Sequence, residues 1–176
     1  MDTIDQQLLA TLRENGRASW AELGRLVGMS GPSVQERVRR LEERGVIAGY
    51  RAEVSAPAIG LGVSALVHLY QGDEVEAESV GDQLRAVPEV EDCWYVAGDE
   101  NFVVKVRAAD VSSLEGVVTK LRRVRGVTRT RTTVVLSTYW EGRGVPIVDR
   151  PDGEGDAGWP TERLAAGTSS GFVERT

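Results

Sequence analysis

Two stretches of this chain repeat each other at an offset of 37 residues: Leu84, Arg85, Val87 and Val90 align with Leu121, Arg122, Val124 and Val127, and Val67 and Leu69 fall on Val104 and Val106. Each half reads as strand, helix and strand, 63–70, 74–86 and 90–97 in the first and 102–107, 110–124 and 127–140 in the second. In tandem they predict a βαββαβ sheet with both helices on one face. In the first strand Val63, Ala65, Val67 and Leu69 alternate with Ser64, Leu66, His68 and Tyr70, so the face turned away from the helices is only partly polar. Such a face needs cover, which a second copy in a symmetric dimer supplies.

Upstream of the repeat, residues 19–50 read as two helices joined by a very short turn. Ser19 and Glu22 make a capping box, and Leu23, Leu26 and Val27 recur at i, i+3 and i+4 as one buried stripe. Gly28 ends that helix, Ser30 caps the next, and Pro32 sits in its first turn, where a missing N–H costs little. The turn is then about three residues long, the length a helix-turn-helix needs. In the second helix Val34, Val38 and Leu41 face inward, the opposite side displays Ser33, Gln35, Glu36, Arg39 and Arg40, and Arg37 flanks the buried stripe. An opening helix from about Asp2 to Asn15, with Ile4, Leu8 and Leu12 on one face, completes a three-helix head.

The charge of the head points to its partner. From Gly16 to Arg40 five arginines (Arg17, Arg25, Arg37, Arg39, Arg40) face two glutamates (Glu22, Glu36), a local excess of three positive charges in a chain of net charge −6. Positive charge is concentrated where double-stranded DNA would dock. The candidate DNA-contacting residues are Ser30, Ser33, Gln35, Glu36, Arg37, Arg39 and Arg40, the small polar ones nearer the bases and the arginines nearer the phosphates. The plainer alternative is a two-helix packing unit with a solvated arginine face.

At 176 residues, 41% hydrophobic and 27% charged, the chain has the composition of a soluble globular protein of one large or two small domains. No run approaches the roughly 18 apolar residues that cross a bilayer, and the start MDTIDQQ is unlike a signal peptide, so a cytoplasmic location without membrane contact is expected. With one cysteine, Cys93, and one histidine, His68, no intrachain disulfide or thiolate metal cluster can form, and no metal site or catalytic residue is expected. His68 reads as a hydrogen-bonded interior residue of a strand, and Cys93 as a small buried hydrophobe.

The expected organisation is α+β: a winged-type helix-turn-helix domain at 1–50, a linker strand and hinge at 51–62, a ferredoxin-like βαββαβ domain at 63–142, and a flexible tail at 143–176. Residues 46–54 are β-prone and read as a strand or extended arm, and 55–62 carry the Pro and Gly of a hinge. The tail is rich in Gly, Pro, Asp and Ser, with Trp159 and Phe172 as its exceptions.

The order of these segments, with RVRRLEERGVIAGYRAEV after the head and the pair VAGDENFVV and RGVTRTRTTVVL in the second domain, resembles the Lrp/AsnC family of transcription regulators from about Ile4 to Leu136. The resemblance implies a transcriptional regulator, not an enzyme, whose second domain senses a small amino acid. It also implies dimers that assemble further to tetramers or octamers. It places the effector between sensing domains, at the hairpin Gly98, Asp99, Glu100 and Asn101 and near the strand threonines Thr130 and Thr132; no other cofactor is implied. A zwitterion needs donors for its carboxylate and acceptors for its ammonium, which these residues offer. Where the family usually has Asp, this chain has Asn101, which brings no charge, so the ammonium falls chiefly to Asp99 or Glu100. Two other classes stay open: a tetrapyrrole (siroheme-type) decarboxylase of related fold that uses a histidine, and an effector-independent DNA-packaging protein.

Overall fold

The computed structural model describes residues 1–72 and 75–143, and Met1–Ala52 and Glu53–Glu141 form separate compact units. In the first unit each helix starts where a side chain can satisfy its free N–H groups. Helix α1 (Thr3–Glu14) opens on a capping box between Asp2 and Asp5, and α2 (Trp20–Val27) on the one between Ser19 and Glu22. Helix α3 (Gly31–Glu43) is capped by Ser30, with Pro32 in its first turn. The turn between α2 and α3 is Gly28, Met29 and Ser30, and Gly28 adopts φ 70°. Gly24 allows that turn to close: a Cβ there would lie 2.5 Å from the Met29 carbonyl oxygen. Leu8, Leu12, Ala18, Leu23, Val34 and Val38 form the core, with Ile4, Trp20, Val27, Met29 and Ile47 packed against it.

Two expectations for this unit fail. Leu26 is 54% exposed rather than part of the buried stripe. Trp20, Leu23, Gly24 and Val27 define the inner arc of α2, and at 100° per residue Leu26 falls well outside it. Of the strand or extended arm expected at 46–54, no strand forms. Val46 and Ile47 donate their N–H groups to Leu41 O, closing the end of α3 after Gly45, and Tyr50 Oη donates to Glu42 at 2.8 Å. The segment is therefore tied to a helix end instead of a partner strand, and the head contains no wing strand among its described residues.

In the second unit the strands β1 (Val63–Gln71), β2 (Val90–Tyr95), β3 (Phe102–Ala108) and β4 (Val127–Val135) form one antiparallel sheet in the order β2-β3-β1-β4. This is the order a tandem βαββαβ unit takes. Val67 and Val104, equivalent in the repeat, are direct partners across β1 and β3, so the pseudo-twofold relation between the halves passes through that pair. Helices α4 (Ala77–Arg85) and α5 (Val111–Arg122) cover one face, where Val80, Leu84, Leu114, Val117 and Leu121 bury Ala65, Val67, Leu69, Phe102, Val104 and Val106. Strand β4 ends at Val135 rather than at 140, because its ladder with β1 stops at the Ser64–Val135 pair. The expected hinge folds into a 3-10 turn at Pro57–Ile59. Beyond Arg143 the expected tail, with Trp159 and Phe172, lies outside the described residues, as does Glu74.

Candidate functional site

The helix-turn-helix leaves the outer side of α3 uncovered: Ser33, Gln35, Arg39 and Arg40 are exposed and Glu36 half-buried. Ser30 and Ser33 hydroxyls lie 2.8 Å apart at the N-terminal end. Arg39 and Arg40 do not project freely. Arg39 grips Glu36 with both arms of a fork, Nε to Oε2 at 2.9 Å and Nη2 to Oε1 at 2.8 Å, and its Nη1 is held by Glu43. Arg40 Nε donates to the same Glu36 Oε1 at 2.9 Å. Hydrogen bonds from Arg39 and then Arg40 hold the Glu36 carboxyl down to about 2. Arg37 belongs elsewhere: its Nη1 reaches Asp2 at 2.7 Å and Asp5 at 2.8 Å, pinning α3 to the start of α1. It is therefore corrected from a DNA-facing candidate to a residue of the head's own packing. The positive excess counted from Gly16 to Arg40 omits Asp2, Asp5 and Glu43, and these carboxylates neutralise the arginines in place.

The effector candidates fall into two groups. Residues directly opposite in an antiparallel ladder share a face, so Thr130 and Thr132, opposite Leu69 and Val67, lie on the helix-covered side of edge strand β4. Glu100 reaches the other side, where its Oε1 accepts from His68 Nδ1 at 2.9 Å. Because that nitrogen donates to a carboxylate, it cannot also accept from Arg131, whose Nη2 lies 3.4 Å away as a charged neighbour. The His68 hydrogen bond, first among several causes, lowers the Glu100 pKa.

Asn101 is committed to structure: its Oδ1 accepts the Gln71 N–H at 2.7 Å, its own N–H donates to Leu69 O, and its carbonyl accepts from Val96. Asp99 and Gly98 are exposed at the tip. Thr130 Oγ1 accepts from Arg122 Nε at 3.0 Å. One chain thus keeps Glu100 and the two threonines on opposite faces of its sheet. His68, Arg131 and Gln71, which lie beside these candidates, were not singled out with them because only strand register shows whom they face, and Arg122 reaches Thr130 from α5.

The face of the sheet without helices is mixed. Leu66 and Val103 are half-buried and Trp94 is 47% exposed. Beside them Lys105 and Arg107 are bridged by Glu91 from β2 and by Glu141 from beyond β4. Arg129 stacks over the Tyr70 ring with its guanidinium carbon 3.8 Å from the centroid. Cys93 is exposed rather than buried, because β2 is an edge strand. Among the described residues no group of three His, Cys, Asp or Glu side chains is placed to hold a metal ion, and no helix is long and apolar enough to cross a membrane.

Comparison with known proteins agrees with both units. Residues 1–42 match the AsnC-type helix-turn-helix domain, and residues 63–145 match the Lrp/AsnC ligand binding domain. The chain is 39% identical over 143 residues to the HTH-type transcriptional regulator LrpA of Mycobacterium tuberculosis, a match covering 81% of this chain and 95% of that one. It is 35% identical to the leucine-responsive regulatory protein of Haemophilus influenzae, covering 77% and 84%. Among solved structures, a feast or famine regulatory protein of M. tuberculosis complexed with L-methionine superposes with a TM-score of 0.78 at 38% identity, covering 83% of this chain and 99% of that one. A transcriptional regulator of Neisseria meningitidis in complex with L-Met gives a TM-score of 0.78 at 26% identity, covering 83% and 96%. With a capped three-helix head, a four-stranded βαββαβ domain and matches to both domain families along most of its length, this chain belongs to the Lrp/AsnC family of transcriptional regulators.

Proposed function

We propose that the chain is a sequence-specific DNA-binding regulator whose hold on its operator is set by a small amino acid bound between sensing domains of adjacent copies. The observation that carries the DNA-binding part is the three-residue turn after α2, which leaves the polar side of α3 uncovered in the geometry of a groove-reading helix. Ser33 and Gln35 are the base-reading candidates, with Arg39 and Arg40 at the phosphates. Copies paired through the uncovered sheet face, around Leu66, would present two such helices to half-sites about 34 Å apart.

The L-methionine complexes of two structural relatives support the amino-acid class of the effector. Asp99 is the hairpin acid left without a polar partner among the described residues, since Glu100 is taken by His68, so Asp99 receives the ammonium. Thr130 and Thr132 supply hydroxyls for the carboxylate from another copy, which explains why one chain holds the two groups apart. Fluorescence anisotropy of a labelled duplex, titrated with protein in the presence of each of the twenty amino acids, tests the reading. At least one should change the apparent affinity, and linkage requires DNA to change that amino acid's affinity by the same factor. If duplex binds and no amino acid at millimolar concentration alters it, the effector-independent DNA-packaging reading replaces this one.

A further inference from the structure

We infer that Glu36 is a specificity-determining residue that keeps the Arg39 fork off phosphate until a base-edge amino group, that of cytosine, takes its carboxylate. The inference deepens the DNA-binding reading and rests on it. No arginine of α3 has its whole donor fork available: Arg37 Nη1 is on Asp2 and Asp5, Arg39 on Glu36 and Glu43, and Arg40 Nε on Glu36. The two Arg39 nitrogens on Glu36 form the fork that would otherwise grip a phosphate bidentately.

Binding to arbitrary sequence draws almost wholly on phosphate contacts. To make one with its fork, Arg39 must leave Glu36, and the released carboxylate then faces a polyanion, whereas Arg40, held only through Nε, keeps both Nη groups for phosphate. A cytosine in the major groove changes this, because its N4 amino group donates to a carboxylate. Glu36 is one turn beyond Ser33 and stands between the base-reading end of α3 and its arginines. Recognition of one base and release of one phosphate-binding fork are thereby coupled through a single carboxylate, and mismatched DNA is penalised twice.

Glu36→Gln keeps the side chain's size at a partly exposed position while removing its charge, and thermal melting checks that the head remains folded. Wild type and variant are titrated with random-sequence duplex over a range of salt, and both are used to select sites from a randomised pool. The variant should bind random duplex about three- to tenfold more tightly per dimer, as expected for breaking a few exposed ion pairs. Its salt dependence should steepen by about two units, one regained phosphate in each head. The cytosine preference in its selected sites should also weaken.

Glu43→Gln, which touches only Arg39 Nη1, should give a smaller gain and the same selected sites as wild type. Equal gains for the two variants with unchanged selected sites, or an unchanged salt slope for Glu36→Gln, would overturn the inference while leaving DNA binding intact. Failure of both wild type and Glu36→Gln to hold any duplex at low salt would overturn the DNA-binding reading, and this inference with it.

Discussion

The outer face of α3 and the 98–101 hairpin are both polar, exposed and adjacent to candidate partners, yet they settle their charges in opposite ways. On α3 every arginine finds a carboxylate within the same head, most of them three or four residues away. At the hairpin tip Asp99 finds none among the described residues, and Thr132 is exposed on the far face of the sheet. A surface satisfied within its own chain must exchange partners to bind, and so gains selectivity at the expense of affinity. A surface left unsatisfied is completed by what arrives, which in the function proposed above is a ligand and another copy.

The widest test of that contrast is assembly. Leu66→Arg, which adds a charge directly opposite Lys105 on the uncovered sheet face, should yield monomers by light scattering. An aspartate there would be a poorer probe because Lys105 could satisfy it. Loss of bivalency should weaken operator binding by about a hundredfold or more. A stable dimer with normal binding would place the interface elsewhere and remove the explanation for the incomplete hairpin.

Next in size is the hairpin itself. Asp99→Ala should weaken effector binding by calorimetry by about tenfold or more, as for a lost hydrogen bond to a charged group. Glu100→Gln, whose partner is His68, should leave that affinity within about twofold of wild type. The reverse ranking would mean that the His68 pair opens to receive the ligand.

Within the head, Arg37 and Arg40 should separate cleanly. Arg37→Met should lower the head's stability by about 1 kcal/mol and leave the salt slope of DNA binding unchanged, since its partners are Asp2 and Asp5. Arg40→Ala should leave stability nearly unchanged and reduce that slope by about one unit per head. A reduced slope for Arg37→Met would return that residue to the DNA-facing set.

The smallest effect is a pH dependence. The Glu100 pKa lies below its ordinary 4.5, so the pair with His68 contributes stability that is fully present above that value and is lost as pH falls through the lowered one. Wild type should therefore melt above Glu100→Gln at neutral pH, and the gap should close in acid. A gap that persists unchanged well below pH 4 would contradict the assignment.

Helix caps, the α2–α3 turn and the topology of the sheet were legible because each depends on residues close in sequence or on the 37-residue repeat. Ser19 and Glu22, or Val67 and Val104, announce their relation by spacing alone. Arg37 did not, since its partners lie 32 and 35 residues away and only the packing of α1 brings them near. Of the strand or extended arm read at 46–54 no strand forms, for a related reason: β-propensity describes a side chain's fit to a sheet, and the backbone of Val46 and Ile47 is held by the end of α3. The hairpin residues were found together by resemblance, but Glu100 and Thr130 share an end of the sheet and not a face, which only the register reveals.

Ser64 and Val135 are partners at the opening of β1 and the close of β4, so the chain enters and leaves the sheet of the second unit at the same corner. A module whose doorway is shared can be spliced between any two neighbours with short joints and without reordering its strands. The head in front and whatever follows are thus free to diverge as interchangeable fittings, while the sheet, its two helices and the hairpin at its far end travel as one cassette.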